Sequence, residues 1–204
     1  MRSSGNGHLM PMRNVCVYCG SSTGARAAYA SQARAFGRAL ARRGLGLVYG
    51  GASVGIMGVL ADAVLAAGGR VVGVMPRPLL ARELAHRGVS ELRITESMHE
   101  RKQVMAELAD AFVALPGGAG TLEELFEAWT WSQLGLHRKP CALLDAEHYF
   151  EALVNFLDHA TVEGFVQRRD RALLLIAHEP EELLDRLESY SPPQIEPWLR
   201  AEQG

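Results

Sequence analysis

The feature that most constrains the fold of this 204-residue chain is the alternation of short apolar runs with longer amphipathic stretches. Seven runs have the length and composition of β-strands; they span residues 14–19, 45–49, 70–75, 92–95, 111–115, 141–144 and 173–177. Between them apolar residues recur at helical spacing, as in Tyr29, Ala33, Phe36 and Leu40. Strands and helices in alternation predict a Rossmann-like three-layer α/β fold, with a parallel sheet flanked by helices on both faces.

The chain is long enough for one compact domain, which we place at residues 14–190. Residues 1–13 contain Gly, Ser and Pro without an apolar segment and are predicted to be a disordered leader. Residues 191–204 are proline-rich and are predicted to form an extended tail pinned at Trp198. No apolar run approaches the roughly 20 residues of a membrane span, so no membrane partner is expected.

Charge and cysteine content exclude several classes of function. The 21 basic and 23 acidic residues give a net charge of −2, which does not favour a nucleic-acid partner. Three cysteines are too few for a disulfide framework, and buried thiols favour a cytoplasmic location. Cys16 and Cys19 form a CxxC motif within a predicted strand, where residues three apart point to opposite faces. The sequence therefore predicts no metal site and no redox pair there.

Three loops of small residues follow predicted strands. Residues 19–22 (CGSS) follow the first strand, 50–58 (GGASVGIMG) the second, and 116–121 (PGGAGT) the fifth. Ligands of open parallel sheets bind beyond the carboxyl ends of the strands. A glycine-rich turn that opens a helix brings backbone N–H groups close to a phosphate, although one such loop alone also fits a ligand-free turn. Neither GxGxxG nor GxxxxGK[ST] is present, which favours a monophosphate ligand.

Two charged side chains have both structural and functional interpretations. Arg101 shares a helical face with Met98 and Met105, so it either reaches water over the core or directs its guanidinium to an anionic ligand. Thr121 and Glu124 have the T-x-x-E spacing of a capping box. A carboxylate one turn into a phosphate-binding helix also lies near the attached sugar, and both interpretations fit the spacing.

Together, GGASVGIMG (50–58), MHERK (98–102) and PGGAGTLEE (116–124) resemble the Lonely Guy family of cytokinin-activating phosphoribohydrolases, and the resemblance extends over about residues 14–190. It implies that Arg101 and Glu124 are the catalytic pair. It also implies a set of residues that bind the substrate, which are Gly50, Gly51, Gly55, Met98, Lys102, Gly117, Gly118, Gly120 and Thr121. Ala119 stands where many relatives carry tyrosine, which bears on the shape of the pocket and on base preference.

The resemblance implies hydrolysis of the N-glycosidic bond of an adenine-type nucleoside 5′-monophosphate, either a cytokinin riboside 5′-monophosphate or AMP. Glu124 would stabilise the oxocarbenium-like sugar and position water, and Arg101 would orient the ribose phosphate and Glu124. No cofactor or metal is expected. The resemblance also implies a homodimer or a larger even assembly, with residues 98–134 contributing to the interface.

Two other functions fit parts of the sequence. The fold also resembles that of nucleotide-binding and molybdenum cofactor carrier proteins, which bind without cleaving. Chains of this kind are also named lysine decarboxylases, which would require pyridoxal phosphate on a lysine. Only Lys102 and Lys139 are available, and neither has the sequence surroundings of a pyridoxal site.

Overall fold

The computed structural model describes residues 12–80 and 85–193. All seven predicted runs form strands, and each strand begins and ends within one residue of the predicted bounds. The strands are β1 (Asn14–Tyr18), β2 (Gly46–Tyr49), β3 (Val71–Pro76), β4 (Glu91–Thr95), β5 (Ala111–Ala114), β6 (Cys141–Leu144) and β7 (Leu174–Ala177).

Helices connect these strands. They are α1 (Ala27–Arg42), α2 (Gly55–Ala66), α3 (Met98–Leu108), α4 (Ala119–Gln133), α5 (Glu151–Val162), α6 (Arg168–Arg171) and α7 (Pro180–Glu188), with short 3₁₀ turns at Arg77–Leu79 and Ala146–His148. In α1, the stripe of Ala33, Phe36 and Leu40 is fully buried, which confirms the helical spacing seen in the sequence.

The sheet is parallel throughout, in the order β4-β3-β2-β1-β5-β6-β7. The chain starts at the centre, proceeds outward to β4, and then crosses back to place β5 on the other side of β1. Strand order therefore reverses between β1 and β5, and such a reversal opens a crevice at the carboxyl ends of the strands. Because all strands run the same way, the three small-residue loops lie along one edge of the sheet.

Two apolar layers cover the faces of the sheet, as the fold prediction requires. Helices α1, α2 and α7 pack on one face, and α3, α4 and α5 pack on the other. Strand β1 contributes to both layers by alternation, since Cys16 lies in one layer and Cys19, just beyond its end, lies in the other. The two cysteines are thus on opposite faces, as predicted, and both thiols are free.

The chain ends are described only in part. Residues 1–11 of the predicted leader and 194–204 of the predicted tail, Trp198 included, lie outside the described residues. Met12 packs against the core, and the Arg13 carbonyl accepts a 2.8 Å hydrogen bond from the Gly46 N–H, so these two residues are part of the fold. Within residues 12–80 and 85–193, every helix is too short or too polar to cross a bilayer.

Candidate active site

A cavity of about 310 Å³ lies at the carboxyl ends of β1, β2 and β5, where the three small-residue loops meet. It is lined by Val17, Tyr18, Cys19, Gly20, Ser21, Gly50, Met57, Met98, Arg101, Gly118, Ala119, Gly120, Thr121, Glu123 and Glu124. Sequence motifs separated by up to a hundred residues therefore form one site.

Helix α4 begins at this cavity with an N-terminus that no side chain caps. Its first residue is Ala119, and its N-cap is Gly118, which has no side chain to accept a hydrogen bond. The N–H groups of a first helical turn lack intrahelical acceptors and carry partial positive charge. Because Gly118, Ala119, Gly120 and Thr121 line the cavity, these donors are available to an anion.

The capping-box interpretation of Thr121 and Glu124 is wrong. A capping box places the Thr before the helix as its N-cap, whereas Thr121 is the third residue of α4 and is buried. The chain turns into the helix earlier because Gly118 takes the N-cap position. Glu124 therefore has no capping role at the start of α4.

The glycines of the loop 116–121 differ in why glycine is needed. A Cβ on Gly117 would collide with Thr121 Oγ1 and would lie 2.8 Å from the Gly20 nitrogen, so the fold itself requires glycine there. A Cβ on Gly118 or Gly120 would meet no atom within 4 Å. Packing within the chain does not require glycine at those two positions, and the missing side chains leave the backbone there accessible from the cavity.

Arg101 is held on the first turn of α3 by a capped helix start. Ser97 is the N-cap and accepts a 3.1 Å hydrogen bond from the Glu100 N–H, and the Glu100 carboxylate accepts one of 2.7 Å from the Glu96 N–H. This S-x-x-E pattern is a capping signal visible in the sequence that our sequence analysis missed. It fixes the direction in which α3 leaves the loop after β4.

The Arg101 side chain is only 10% exposed, so the interpretation in which its head reaches water is wrong. Its Nε donates to the Val74 carbonyl oxygen at 3.1 Å, at the end region of β3. Its Nη1 lies 3.3 Å from Glu124 Oε1. The guanidinium is therefore positioned at the cavity wall beside the carboxylate.

Glu124 is 11% exposed, and the contact with Arg101 is an ion pair without hydrogen-bond geometry. Among the described residues, no donor forms a hydrogen bond to its buried Oε1. Burial raises the pKa of Glu124, and the nearby Arg101 charge opposes that rise. A buried carboxylate that faces a cavity and still has acceptor capacity is suited to bind water or a developing cation.

Gly50 leaves room for the guanidinium. A Cβ on Gly50 would overlap Arg101 Nη2 and lie 3.0 Å from Met57 Sδ. Glycine at position 50 thus forms part of the cavity wall and also leaves the space that the Arg101 guanidinium occupies.

Gly51 and Gly55, from the same loop, do not line the cavity. Gly51 has φ +82°, and its carbonyl accepts a 2.9 Å hydrogen bond from the His86 N–H. Gly55 has φ +61°, and its Cα faces the Ser21 backbone so closely that a Cβ would overlap it. Both positions require glycine for the course of the backbone.

The N-terminus of α2, unlike that of α4, is capped by a backbone carbonyl from another loop. The Gly20 carbonyl accepts hydrogen bonds from the N–H groups of Ile56 (3.0 Å) and Met57 (3.3 Å). Helices α2 and α4 both begin in glycine-rich loops. Of these two, α4 is the one whose first N–H groups are open to the cavity.

Met98 lines the cavity, whereas Lys102 does not. Lys102 Nζ lies 2.5 Å from Glu123 Oε1 and 3.0 Å from Glu127 Oε1, so it bridges α3 to α4. These are the helices that carry Arg101 and Glu124, and Lys102 therefore stabilises their spacing.

The structure adds residues that the sequence analysis did not select. Tyr18, Cys19, Ser21 and Met57 complete the wall, and an adjoining cavity of about 310 Å³ shares Gly20, Ser21 and Gly118 with the first. Tyr149 lines the second cavity, and its hydroxyl donates to the Gly117 carbonyl at 2.5 Å. No local signal marks Tyr149, because its contact spans 32 residues.

Comparisons with known proteins identify relatives of this chain. Residues 57–187 match the family model described as "Possible lysine decarboxylase". The chain is 47% identical over 180 residues to the cytokinin riboside 5′-monophosphate phosphoribohydrolase LOG of Oryza sativa subsp. japonica, covering 88% of this chain and 74% of the relative. It is 50% identical over 170 residues to the cytokinin riboside 5′-monophosphate phosphoribohydrolase of Rhodococcoides fascians, covering 83% and 86% respectively.

Solved structures share the fold at lower identity. The molybdenum cofactor binding protein of Rippkaea orientalis superposes with a TM-score of 0.67 at 22% identity, covering 89% of this chain and 98% of the other. The single-stranded DNA-binding DNA processing protein A of Helicobacter pylori gives a TM-score of 0.53 at 14% identity, covering 87% and 80%. These likenesses show the three-layer fold alone, whereas identities near one half over most of the chain place it among the phosphoribohydrolases: the chain belongs to the Lonely Guy (LOG) family.

Proposed function

We propose that this protein hydrolyses the N-glycosidic bond of adenine-type nucleoside 5′-monophosphates, releasing the free base and ribose 5-phosphate. One observation carries the proposal: the buried Arg101–Glu124 pair, 3.3 Å apart, lies in the same cavity as the uncapped N-terminus of α4. The substrate class is that named for the relatives from rice and from Rhodococcoides fascians.

The N-terminus of α4 is the proposed site of the 5′-phosphate. Its open N–H groups and helix dipole attract an anion, and the absence of side chains at Gly118 and Gly120 allows the phosphate to approach the backbone. The Thr121 Oγ1, which borders Gly117, is the nearest hydroxyl on this turn. A phosphate held here places the attached ribose toward Glu124, one helical turn further along α4.

Glu124 is the proposed catalytic carboxylate. As the C1′–N bond breaks, its electron pair leaves with the base and the sugar becomes oxocarbenium-like, which a nearby negative charge stabilises. Water adds to C1′, and its proton passes by way of Glu124 to the base. The raised pKa of Glu124 makes it a stronger base for that proton than an exposed glutamate.

Arg101 is proposed to orient this carboxylate and the ribose phosphate. Its hydrogen bond to the Val74 carbonyl fixes the guanidinium, and the contact with Glu124 fixes the carboxylate in turn. A guanidinium at the cavity wall also has donors that can face phosphate or sugar oxygens.

The name of the matching family model, lysine decarboxylase, does not fit the residues at this site. Neither lysine lines the cavity: Lys102 is paired with glutamates of α4, and Lys139 Nζ donates to the Ala106 carbonyl at 2.8 Å. A lysine that forms a Schiff base must face its cofactor. We therefore propose hydrolysis that needs neither pyridoxal phosphate nor a metal.

The test is incubation of the protein with AMP, N6-prenylated AMP and adenosine, followed by chromatography of the products. We expect free base and ribose 5-phosphate from at least one monophosphate, and a kcat/KM for adenosine at least roughly tenfold lower. The relative rates of the two monophosphates identify the preferred substrate. Tight nucleotide binding without release of base would instead identify a binding protein, and cleavage of adenosine within about threefold of AMP would reject the phosphate site.

We further propose a cytoplasmic protein that forms a homodimer or a larger even assembly. All three cysteines are buried free thiols, which fits a reducing compartment. Leu134 and Leu136 are exposed apolar residues just after α4; the first ends the segment 98–134 that the family resemblance implicates, and the second follows it. The small net charge of −2 supports a nucleotide rather than a nucleic acid as the ligand.

A further inference from the structure

A second cluster of polar side chains lies at the same edge of the sheet, at the ends of β6 and β7. Asp145 follows β6 directly and His178 follows β7 directly, and the preceding residues Leu144 and Ala177 are paired neighbours in the sheet. His148 ends the 3₁₀ turn after Asp145. The candidate ligand atoms of the three side chains all lie within 4.8 Å of one another. None of the three lines the two cavities described above.

Asp145 is a buried carboxylate without a lysine or arginine partner among the described residues. It is 3% exposed, and its Oδ1 accepts a 2.7 Å hydrogen bond from the Phe150 N–H. Its Oδ2 lies 3.7 Å from His178 Nδ1, which also lies 3.2 Å from the Asp145 carbonyl oxygen. In residues 12–80 and 85–193 no lysine or arginine forms an ion pair with Asp145. A buried carboxylate ordinarily requires a cation or further donors.

The two histidines are directed to this carboxylate by the backbone. Glu147 and His148 both have left-handed φ values, 52° and 57°, which turn the His148 ring to within 5.2 Å of the His178 ring centroid. Gln32 of α1 donates to the His178 carbonyl oxygen at 2.5 Å and fixes that residue from the other side. The His178 side chain is 54% exposed, so solvent has access to the cluster.

We propose that Asp145, His148 and His178 bind a divalent transition-metal ion of the Zn²⁺ type. Two imidazoles and one carboxylate form a common three-ligand set for such ions, with remaining positions open to water. Tetrahedral coordination at bond lengths near 2.1 Å separates ligand atoms by about 3.4 Å. The Asp145–His178 pair is already close to that spacing. Rotation of the exposed imidazoles shortens the remaining distances between ligand atoms to the same value.

The competing arrangement is metal-free: His178 Nδ1 lies 3.2 Å from the Asp145 carbonyl oxygen and forms a hydrogen bond to it. The two arrangements differ in their response to Zn²⁺, because the metal-free one offers no saturable site for the ion. The metal would be structural with respect to the nucleotide site, and the experiment is independent of the proposed hydrolase activity.

The experiment is calorimetric titration of Zn²⁺ into the full-length protein, freed of any affinity tag and dialysed against chelator. We expect one Zn²⁺ per chain, with binding weakened roughly tenfold or more in His148→Ala and in His178→Ala. The control is His159→Ala, which removes an exposed histidine of α5 outside the cluster and should bind as the wild type does. Zn²⁺ should also raise the Tm of the wild type and of this control but of neither cluster variant.

Co²⁺ loading of the wild-type protein provides a readout that needs no variant. Because the cysteines are buried, we expect the visible spectrum of low-coordinate Co²⁺ with nitrogen and oxygen ligands and no thiolate charge-transfer band. The proposal is overturned if Zn²⁺ does not bind saturably, if His159→Ala weakens binding as much as the cluster variants, or if Co²⁺ retains its aqueous spectrum.

Discussion

At the scale of single residues, the Arg101–Glu124 pair is better suited to chemistry than to stability. Taking both charges out of water costs free energy that their attraction only partly offsets. The raised pKa of Glu124 shows that, in the folded protein, the cost of burying the carboxylate outweighs its attraction to Arg101. Buried ionisable groups with shifted pKa values concentrate at functional sites, which supports the role that we propose for Glu124.

Replacement of Glu124 by Gln should abolish most of the activity while leaving the fold intact. Gln keeps the size of the side chain but cannot stabilise a cationic sugar, so we expect kcat to fall roughly 10²-fold to 10⁴-fold. Glu151→Gln is the control, because Glu151 is an exposed glutamate of α5 that lines neither cavity. Steady-state kinetics of both variants check the prediction, and unchanged turnover in Glu124→Gln would remove this residue from the mechanism.

The raised pKa of Glu124 also predicts the pH dependence of activity and stability. The kcat/KM of the wild type should fall with decreasing pH at a midpoint above 4.5, the ordinary value for glutamate, and Glu124→Gln should lack this limb. A raised folded-state pKa means that the protonated form favours folding below pH 4.5 and that this contribution is lost as the pH rises through the folded-state pKa. Glu124→Gln should therefore be more stable than the wild type at neutral pH, and the difference should vanish in thermal melts below pH 4.5.

Gly50→Ala should lower activity by displacing Arg101. The added methyl group occupies the position of the guanidinium, which must shift away from Glu124. We expect kcat to fall by roughly tenfold or more, since misplacement of a catalytic group by about 1 Å is costly. Gly44→Ala is the control: its φ of +69° predicts a lower Tm, and its distance from the site in the loop before β2 predicts unchanged kinetics. Wild-type kinetics in Gly50→Ala would show that the wall tolerates a methyl group.

At the scale of elements, the N-terminal cap of α3 positions Arg101. Ser97→Ala removes the acceptor of the Glu100 N–H, at a cost of about 1 kcal/mol, and frays the turn that carries Arg101. We expect both Tm and kcat to decrease, and Ser97→Asp to restore both, because Asp is also a good N-cap.

Ser189→Ala is the control for this element. Its hydroxyl donates to the Asp185 carbonyl at the end of α7, so its removal should leave kcat unchanged. A normal kcat in a destabilised Ser97→Ala protein would show that the cap serves stability alone.

At the scale of the whole molecule, the exposed apolar residues after α4 predict self-association. Leu136 is 61% exposed and borders a surface cavity of about 300 Å³ that also includes Phe112 and Trp131. Light scattering at micromolar concentration should give an even multiple of the 22.2 kDa chain mass. Leu136→Glu should shift the mass toward the monomer, whereas Val162→Glu, at an exposed apolar residue of α5, should not. A monomeric wild type would reject the assembly.

The local pattern of apolar residues and of turn residues determined the strands of this protein and the edge of the sheet at which the site lies. Short apolar runs predicted all seven strands to within one residue. The inner strands of a parallel sheet are buried on both faces and are therefore apolar along their whole length. Parallel strands with loops at one edge were enough to predict that three motifs meet. Arg101, Glu124, Gly118 and Gly120 line the cavity that their motifs indicate, whereas Gly117 lines the adjoining cavity instead.

Tertiary structure alone decided which residues of each motif face the cavity. T-x-x-E at 121–124 suggests a cap, yet α4 begins at Ala119 with Gly118 as its N-cap. Lys102 pairs with a neighbouring helix. Asp145 and His178, 33 residues apart, meet because β7 lies beside β6. Spacing along a chain reports a residue's position on its own element, whereas its neighbours depend on strand order and helix packing, which are properties of the folded whole.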